Sequence, residues 1–229
     1  MVVKNIAILF SGNGSNLEAI LKKVHNRTFG DVKIVAKLLI CNVQGAGGIE
    51  RARKYGLETK VISHKDFESR EGFDEALLAE IEAANVDLVV LAGFMRVLSA
   101  KFCSKVRAIN LHPSLLPLFK GAHAIKESFE SDMKVGGVSV HWVSAELDGG
   151  KIIAQKTFER KNRDLENWEK KIHKIEHKLL PSVIVGLLAD KGEFKFESDV
   201  EKLSKKANKK GVKKAAKVAE KTAEKILNA

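Results

Sequence analysis

The residues with the clearest chemical potential are an amide and an imidazole two positions apart, Asn110 and His112. They end an apolar run and stand directly before Pro113. Side chains alternate along a strand, so this pair shares one side while Ile109 and Leu111 face the other. Pro113 lacks the backbone N–H that a central strand needs, and it predicts the end of the strand here. The pattern therefore directs both polar side chains into one small volume at a strand end.

A carboxylate is available to complete this pair. Asp148 lies in the turn Glu146 to Gly150, which follows the alternating run Gly137 to Val143, and the turn can bring it back to the imidazole. An amide and an imidazolium can stabilise an oxyanion while the imidazole relays protons, so these groups suffice for acyl transfer without an enzyme nucleophile. The alternative is structural, because an Asn-x-His at a strand end is more often a turn with a hydrogen-bonded histidine.

A second candidate site is the turn Ser11-Gly-Asn-Gly-Ser-Asn16, between a predicted strand and a predicted helix. Its glycines allow a ligand to approach the backbone, and a helix N-terminus carries partial positive charge that suits a phosphate. The spacing is not GxGxxG, and the Lys-Ser/Thr of a P-loop is missing. A phosphate on a small substrate therefore fits better than a dinucleotide, and a plain turn with an Asn cap is the alternative.

The elements that must position these sites follow an alternating hydrophobic pattern. It predicts strands at 6–10, 32–41, 59–62 and 86–91, with helices after the first strand, at 48–55 and at 73–84. This order is typical of an α/β fold with a doubly wound, mainly parallel sheet. Ligands bind such sheets beyond the carboxyl ends of the strands. The turn 11–16, the segment 92–98 and the loop 110–117 are therefore expected to line one cleft.

The pattern changes after Pro117. It predicts a helix at 122–131, a C-terminal antiparallel strand pair at 138–143 and 151–158, and a long helix at 165–188. Apolar residues of that helix recur every three to four positions, which indicates a face packed on the core. Pro181 falls inside this face and predicts a kink or a break.

The net charge of +11 first suggests nucleic-acid binding. Residues 201–229 hold ten Lys against three Glu, a net charge of +7, so the preceding 200 residues carry only +4. Residues 203–229 contain no aromatic side chain to stack on bases. We therefore divide the chain into a catalytic domain, residues 1–195, and a Lys/Ala-rich tail, residues 196–229, that is helical or partly disordered. Nucleic acid is not an expected partner, and a docking role for the tail stays open.

The two cysteines, Cys41 and Cys103, lie in apolar surroundings without metal-ligand spacing. We expect reduced thiols, a cytoplasmic protein and no metal site. No apolar stretch reaches the roughly 20 residues of a membrane span. The N-terminal apolar run lacks a cleavage-site pattern, so no signal peptide is predicted.

Five segments, in order, resemble the folate-dependent phosphoribosylglycinamide formyltransferase family over about residues 5–190. They are Phe10-Ser-Gly-Asn-Gly-Ser-Asn-Leu17, Leu91-Ala-Gly-Phe-Met-Arg-Val-Leu-Ser99, Ile109-Asn-Leu-His-Pro-Ser-Leu-Leu-Pro117, Gly137-Val-Ser-Val-His141 and Glu146-Leu-Asp-Gly-Gly150. The resemblance implies a Rossmann-like formyltransferase fold. It also implies transfer of the formyl group of 10-formyltetrahydrofolate to the glycinamide amine of phosphoribosylglycinamide in purine biosynthesis, without a metal or a covalent enzyme intermediate.

The same resemblance implies roles for individual residues. The catalytic residues would be Asn110, His112 and Asp148. The substrate phosphate and ribose would be bound by Gly14, Ser15, Asn16, His173 and Glu176. The folate would be bound by Arg70, Arg96, Val97, Leu98, Asn110, Glu146 and Leu147. His173 departs from the family pattern, which has Gln at this position. His123 and His141 match motif positions near the site, and we interpret them as packing or phosphate-side support.

Two related activities are alternatives. Formyltetrahydrofolate hydrolase shares the Asn, His and Asp trio, but we expect it to carry an additional N-terminal regulatory domain, whereas the first predicted strand here begins the chain. Methionyl-tRNA formyltransferase would need a folded C-terminal domain for tRNA, and the tail is too short and too uniform for one. We expect a monomer or a homodimer that acts on small molecules.

Overall fold

The computed structural model describes residues 1–161 and 163–189. The strands are β1 (Val2–Phe10), β2 (Arg27–Phe29), β3 (Val32–Cys41), β4 (Lys60–Val61), β5 (Leu88–Leu91), β6 (Ala108–His112), β7 (Val135–Trp142) and β8 (Ile152–Glu159). The helices are α1 (Ser15–Lys23), α2 (Gly47–Arg53), α3 (Arg70–Ala84), α4 (Ala100–Lys105), α5 (Ala124–Glu130) and α6 (Leu165–Ala189). The Lys/Ala-rich tail predicted for 196–229 lies outside the described residues.

One sheet of eight strands organises the described part of the chain, in the order β2-β3-β1-β5-β6-β7-β8 with β4 beside β3. The pairs that β1 forms with β3 and β5 are parallel, as are β5 with β6 and β3 with β4. β7 and β8 extend the sheet as an antiparallel pair beyond β6. The predicted α/β fold, with its mainly parallel sheet, its C-terminal antiparallel pair and its long helix, is confirmed.

Both faces of the sheet are covered, as the side chains of β1 illustrate. Ile6, Ile8 and Phe10 enter a core that also contains residues of α1 and α6. Ala7 and Leu9 point the other way, into a core that contains residues of α3 and α4. A strand buried on both faces reads as a continuous apolar run, which explains the hydrophobic pattern from Ile6 to Phe10.

The sequence predicts a kink or a break at Pro181, and helix α6 continues through Pro181 to Ala189, so there is no break. A proline inside a helix has no N–H and leaves the carbonyl four residues earlier without its usual donor. That carbonyl belongs to His177, and Nζ of Lys23 donates a hydrogen bond to it at 2.5 Å. Because α1 supplies this donor and the flanking residues Leu180 and Val183 are fully buried, the helix stays intact.

Among the strands and α-helices of the described residues, β2 and α4 were not predicted. β2 has three residues and offers no alternating pattern to detect. α4 does carry a local signal, since the Ser99 hydroxyl accepts a hydrogen bond from the N–H of Phe102 and caps the helix. The length of α4, six residues, hid this signal from a search for helical periodicity.

Removing core volume at the centre of the sheet should destabilise the fold. We expect Ile8→Ala to lower the free energy of unfolding by about 2 to 5 kcal/mol, because Ile8 is fully buried and the truncation leaves a cavity. Val3→Ala, in the same strand but 49% exposed, is the control and should cost much less. Urea unfolding followed by circular dichroism measures both values, and equal losses would contradict the assigned core.

Candidate active site

A cleft of about 300 Å³ lies at the carboxyl ends of β5 and β6. Its lining includes most of the predicted catalytic and folate-binding residues: Arg96, Val97, Leu98, Asn110, His112, Glu146, Leu147 and Asp148. The segment after β5, the last residues of β6 and the turn after β7 supply these side chains. The position agrees with the rule that ligands bind beyond the carboxyl ends of parallel strands.

The turn between β1 and α1 is attached to this cleft but does not line it. The Ser11 N–H donates to the carbonyl of Gly93 at 3.0 Å, and the Ser11 hydroxyl accepts from the N–H of Met95 at 2.8 Å. Gly14, Ser15 and Asn16 are absent from the lining of the cleft. The prediction that three loops line a single cleft is therefore correct for two of them, and the third, the turn 11–16, only contacts the lining residues Gly93 and Met95 through Ser11.

His112 ends β6 and is 4% exposed. Nδ1 of its ring lies 3.4 Å from Oδ2 of Asp148. Nε2 lies 2.7 Å from the carbonyl oxygen of Phe119, which can only accept a hydrogen bond. Two acceptors thus face the two ring nitrogens, and a doubly protonated ring satisfies both.

Asp148 is the carboxylate that this arrangement requires. The backbone N–H of Gly121 donates to its Oδ2 at 2.8 Å, and its Oδ1 lies 3.6 Å from Nε2 of His141. Burial raises the pKa of Asp148. The contact with His141, the Gly121 N–H and the charges of His112 and His141 lower the pKa by more, so the net pKa is below the usual value. The carboxylate is therefore ionised at neutral pH.

Asn110 lies between Asp148 and His141. Its Nδ2 is 3.4 Å from Oδ1 of Asp148 and 3.2 Å from Nε2 of His141. Nδ1 of His141 lies 2.9 Å from the carbonyl oxygen of Trp142, which can only accept a hydrogen bond, so Nδ1 carries a proton. Both bonds from the amide are long, which leaves its N–H groups available to a stronger acceptor.

Three further groups contribute to the site. His141, which we interpret from the sequence as packing or phosphate-side support, contacts the Asn110 amide. The carbonyl of Phe119 and the N–H of Gly121 are backbone groups, so residue types do not reveal them. The glycine at 121 is the one available signal, since its φ of +88° is a conformation that other residues rarely adopt. Phe119 also has a positive φ, +54°, which turns its carbonyl toward His112.

The two arginines predicted to bind folate occupy different surroundings. Arg96 lines the cleft, and its Nε is buried without a hydrogen-bond partner among the described residues. Arg70 is the first residue of α3, does not line the cleft, and forms an exposed ion pair with Glu71 at 3.3 Å. Arg96 is therefore the better-placed group for an anionic part of a ligand in the cleft.

The predicted phosphate and ribose residues form a second group. Gly14 has a φ of +75°, and a Cβ there would lie 2.5 Å from Cα of Gly48, so only glycine fits. The first intrahelical bond of α1 runs from the N–H of Glu18 to the carbonyl of Gly14 at 2.9 Å, which leaves the preceding N–H groups of the helix outside its ladder. The Asn16 amide donates to Oε2 of Glu176 at 3.1 Å, and Nδ1 of His173 lies 2.8 Å from the same oxygen.

Two further structural observations concern the residues in 1–161 and 163–189. Among them, no group of three or more His, Cys, Asp or Glu side chains is arranged to hold a metal ion. No helix within these ranges is long and apolar enough to span a membrane.

An α/β sheet with an amide, an imidazole and a carboxylate at its carboxyl edge suggests an acyl-transfer enzyme of the formyltransferase class. The chain belongs to the formyl transferase family, whose model matches residues 4–184. The crystal structure of phosphoribosylglycinamide formyltransferase from Campylobacter jejuni is similar, with 56% identity and a TM-score of 0.81, covering 82% of this chain and 99% of that one. The resemblance drawn from five sequence segments is confirmed.

Two curated relatives show the same similarity. Phosphoribosylglycinamide formyltransferase of Bacillus subtilis is 38% identical over 196 residues, which cover 83% of this chain and 99% of the relative. A trifunctional purine biosynthetic protein of Drosophila melanogaster is 41% identical over 188 residues. The match covers 81% of this chain but spans only 14% of the length of that relative.

The lowered pKa of Asp148 should make its contribution to stability depend on pH. An unfolded Asp has a pKa of about 3.9 and the folded value is lower, so the stabilisation is complete above about pH 4 and is lost as pH falls through the folded pKa. As pH is lowered from 5, we expect the free energy of unfolding of the wild type to fall relative to that of Asp148→Asn, as measured by urea unfolding. Asp132→Asn, at an exposed position, is the control. If the difference in free energy of unfolding between the wild type and Asp148→Asn did not change with pH, the lowered pKa of Asp148 would be contradicted.

Proposed function

We propose that this protein transfers the formyl group of 10-formyltetrahydrofolate to the glycinamide amine of phosphoribosylglycinamide, a step of purine biosynthesis. The observation that carries the proposal is the convergence of Asn110, His112 and Asp148 on one cleft, in a chain of the formyl transferase family. Relatives named as phosphoribosylglycinamide formyltransferases support this choice of substrate.

The reaction needs one bond formed, one broken and one proton moved. The amine nitrogen attacks the formyl carbon, and the electrons of the C=O bond move onto its oxygen. The C–N bond to the folate then breaks as the oxyanion collapses back to a carbonyl. The ammonium formed by the attack loses one proton and the folate nitrogen gains one, so the reaction balances with the two substrates alone.

The side chains at the cleft match the charges that this reaction develops. The oxyanion accepts a hydrogen bond from one N–H of Asn110, and this bond replaces the long contact of that N–H with Asp148 or His141. The oxyanion also accepts a hydrogen bond from Nε2–H of His112, and it replaces the Phe119 carbonyl as the acceptor. Each such donor typically contributes a few kcal/mol to a transition state of this kind. His112 then relays the proton between the amine and the folate nitrogen.

Asp148 acts through His112. Its carboxylate faces Nδ1 at 3.4 Å, which keeps the ring oriented. The Gly121 N–H and the burial of both side chains hold the carboxylate in place. The same carboxylate also lies 3.4 Å from Nδ2 of Asn110.

The cleft has the features expected of a folate site. Val97, Leu98 and Leu147 provide apolar surface for a flat ring system, and Glu146 and Asn110 provide polar groups at its edge. A carboxylate of the folate glutamate would satisfy the unpartnered Nε of Arg96. We assign Arg70 a weaker role at the exposed end of the same ligand.

The phosphate and ribose of the amine substrate are assigned to the second group of residues. The backbone of Gly14, Ser15 and Asn16 at the start of α1 offers N–H groups and partial positive charge to the phosphate. Glu176 is 4% exposed and presents a carboxylate that can accept hydrogen bonds from ribose hydroxyls. His173 lies beside it.

We assign the activity to residues 1–195 and none of it to the tail 196–229. We propose that the protein is a cytoplasmic monomer or homodimer that acts on small-molecule substrates, without a metal and without nucleic acid as a partner. The alternative is hydrolysis of formyltetrahydrofolate, in which water takes the place of the amine in the same cleft.

The test of this proposal is whether the reaction depends on the amine. Purified protein given 10-formyltetrahydrofolate should release tetrahydrofolate only when phosphoribosylglycinamide is added. Release at the full rate without the amine would overturn the transferase in favour of the hydrolase. Absorbance of the folate measures both reactions in one assay.

Loss of the imidazole should lower turnover far more than it weakens binding. We expect His112→Ala to reduce kcat by about 10² to 10⁴, because the variant loses a proton relay and a donor to the oxyanion. KM for either substrate should change only a few-fold. His64→Ala, which removes an imidazole outside the cleft, is the control. A kcat close to that of the wild type would remove His112 from the mechanism.

The two arginines should differ in their effect on folate binding. Arg96→Met is expected to raise KM for 10-formyltetrahydrofolate by about tenfold or more, since a charge-assisted hydrogen bond is lost in the cleft. Arg70→Met should have a smaller effect because Arg70 is exposed and paired with Glu71. KM for phosphoribosylglycinamide should stay constant in both variants. Equal effects of the two substitutions would contradict the assigned folate site.

A further inference from the structure

His173 joins the turn between β1 and α1 to helix α6 through one shared carboxylate. Oε2 of Glu176 lies 3.1 Å from Nδ2 of Asn16 and 2.8 Å from Nδ1 of His173. The carboxylate is 5% exposed, whereas the His173 side chain is 48% exposed. The imidazole therefore stands at the open border of the turn that we assign to the substrate phosphate.

The two edges of this imidazole have different surroundings. Nδ1 faces a carboxylate, so it carries a proton in both charge states of the ring. Nε2 has no hydrogen-bond partner within the described part of the chain. The ring stacks on that of His177, with centroids 6.3 Å apart and planes at 15°. Nε2 is therefore the edge left for a ligand.

The chemistry of that edge depends on one proton. In the neutral ring, Nδ1–H donates to Glu176 and Nε2 carries a lone pair, which repels an anion. In the imidazolium, Nε2–H becomes a charged donor, which is the stronger kind of partner for a phosphate oxygen. Gln, which the family pattern has at this position, keeps an N–H donor at every pH. With His173 at this position, the same contact depends on protonation of the ring.

The surroundings place the titration of His173 above that of a free histidine. The hydrogen bond with Glu176 raises the pKa of His173, burial opposes it, and the charges of Glu176 and Glu169 raise it further. Burial lowers the pKa of His177, so the charge of the stacked pair resides on His173. On α1, the groups that act on this stacked pair are Glu18 and Lys23, of opposite sign.

We propose that His173 recognises the phosphorylated substrate only in its protonated form, so that affinity for the phosphate falls as pH rises while affinity for the folate does not. The inference rests on the proposed function, which assigns the phosphate to Gly14, Ser15 and Asn16. It deepens that assignment by making one contact of the same subsite dependent on pH. The folate cleft does not include His173, which is why its affinity is independent of this proton.

The kinetic test compares the wild type with His173→Gln over pH 7 to 9. Above pH 7 the phosphate is already a dianion, because its second pKa is about 6. KM for phosphoribosylglycinamide should rise with pH in the wild type by about tenfold relative to the Gln variant, the size of one charge-assisted hydrogen bond. The substrate amine also titrates, but equally for both proteins, so the ratio isolates His173. A ratio that stays constant with pH would overturn the proposal.

KM for 10-formyltetrahydrofolate serves as the internal control and should follow the same course in both proteins. A simple structural role of His173 would change stability or kcat without changing the pH dependence of KM for phosphoribosylglycinamide. His173 is half-exposed, so the Gln variant should fold.

A binding measurement separates this proposal from the proposed function. Ribose 5-phosphate, added to the full-length protein, should raise the pH midpoint of the His173 Cε1–H resonance in the NMR spectrum, because phosphate and proton favour each other's binding. The resonance is assigned by its loss in His173→Gln. An unchanged midpoint in a protein that does transfer formyl to the amine would sink the His173 proposal alone. A raised midpoint without formyl transfer would sink the proposed reaction and leave the phosphate contact supported.

Discussion

The imidazole of His112 is held from both sides by oxygens that accept hydrogen bonds, and the arrangement of the cleft depends on this double anchorage. Asp148 faces Nδ1 at 3.4 Å and the Phe119 carbonyl faces Nε2 at 2.7 Å. The ring is 4% exposed, so water cannot replace either partner freely. Asn110 contacts the same carboxylate, which ties the amide to the imidazole. In the proposed reaction, a substrate oxygen takes the place of the Phe119 carbonyl.

The antiparallel pair of β6 and β7 supports this anchorage. In its register Asn110 lies opposite His141 and His112 lies opposite Ser139. The buried hydroxyl of Ser139 donates to the carbonyl of Ser114 at 2.7 Å and accepts from the N–H of Leu116 at 3.0 Å. These bonds hold the loop after β6, the loop that leads to the Phe119 carbonyl. A slip of one residue in the register would turn every one of these side chains to the opposite face.

Side-chain patterns made much of this structure predictable. The alternation along β6 placed Asn110 and His112 on one side, and the order of strands and helices placed them at the carboxyl edge of the sheet. The Phe119 carbonyl and the Gly121 N–H were not predictable, because backbone groups are directed by φ and ψ and not by residue type. The continuity of α6 depends on Lys23, more than 150 positions away in sequence. Contacts between distant segments of this kind decide details that local pattern cannot.

The central claim is that Asp148 acts through His112 and not independently of it. A double-mutant cycle on kcat tests this directly, with His112→Ala, Asp148→Asn and the combined variant measured under saturating substrates. If the carboxylate works by orienting the imidazole, the combined variant should turn over about as slowly as the slower single variant. Losses that multiply in the combined variant would show that the two residues act independently and would contradict the account.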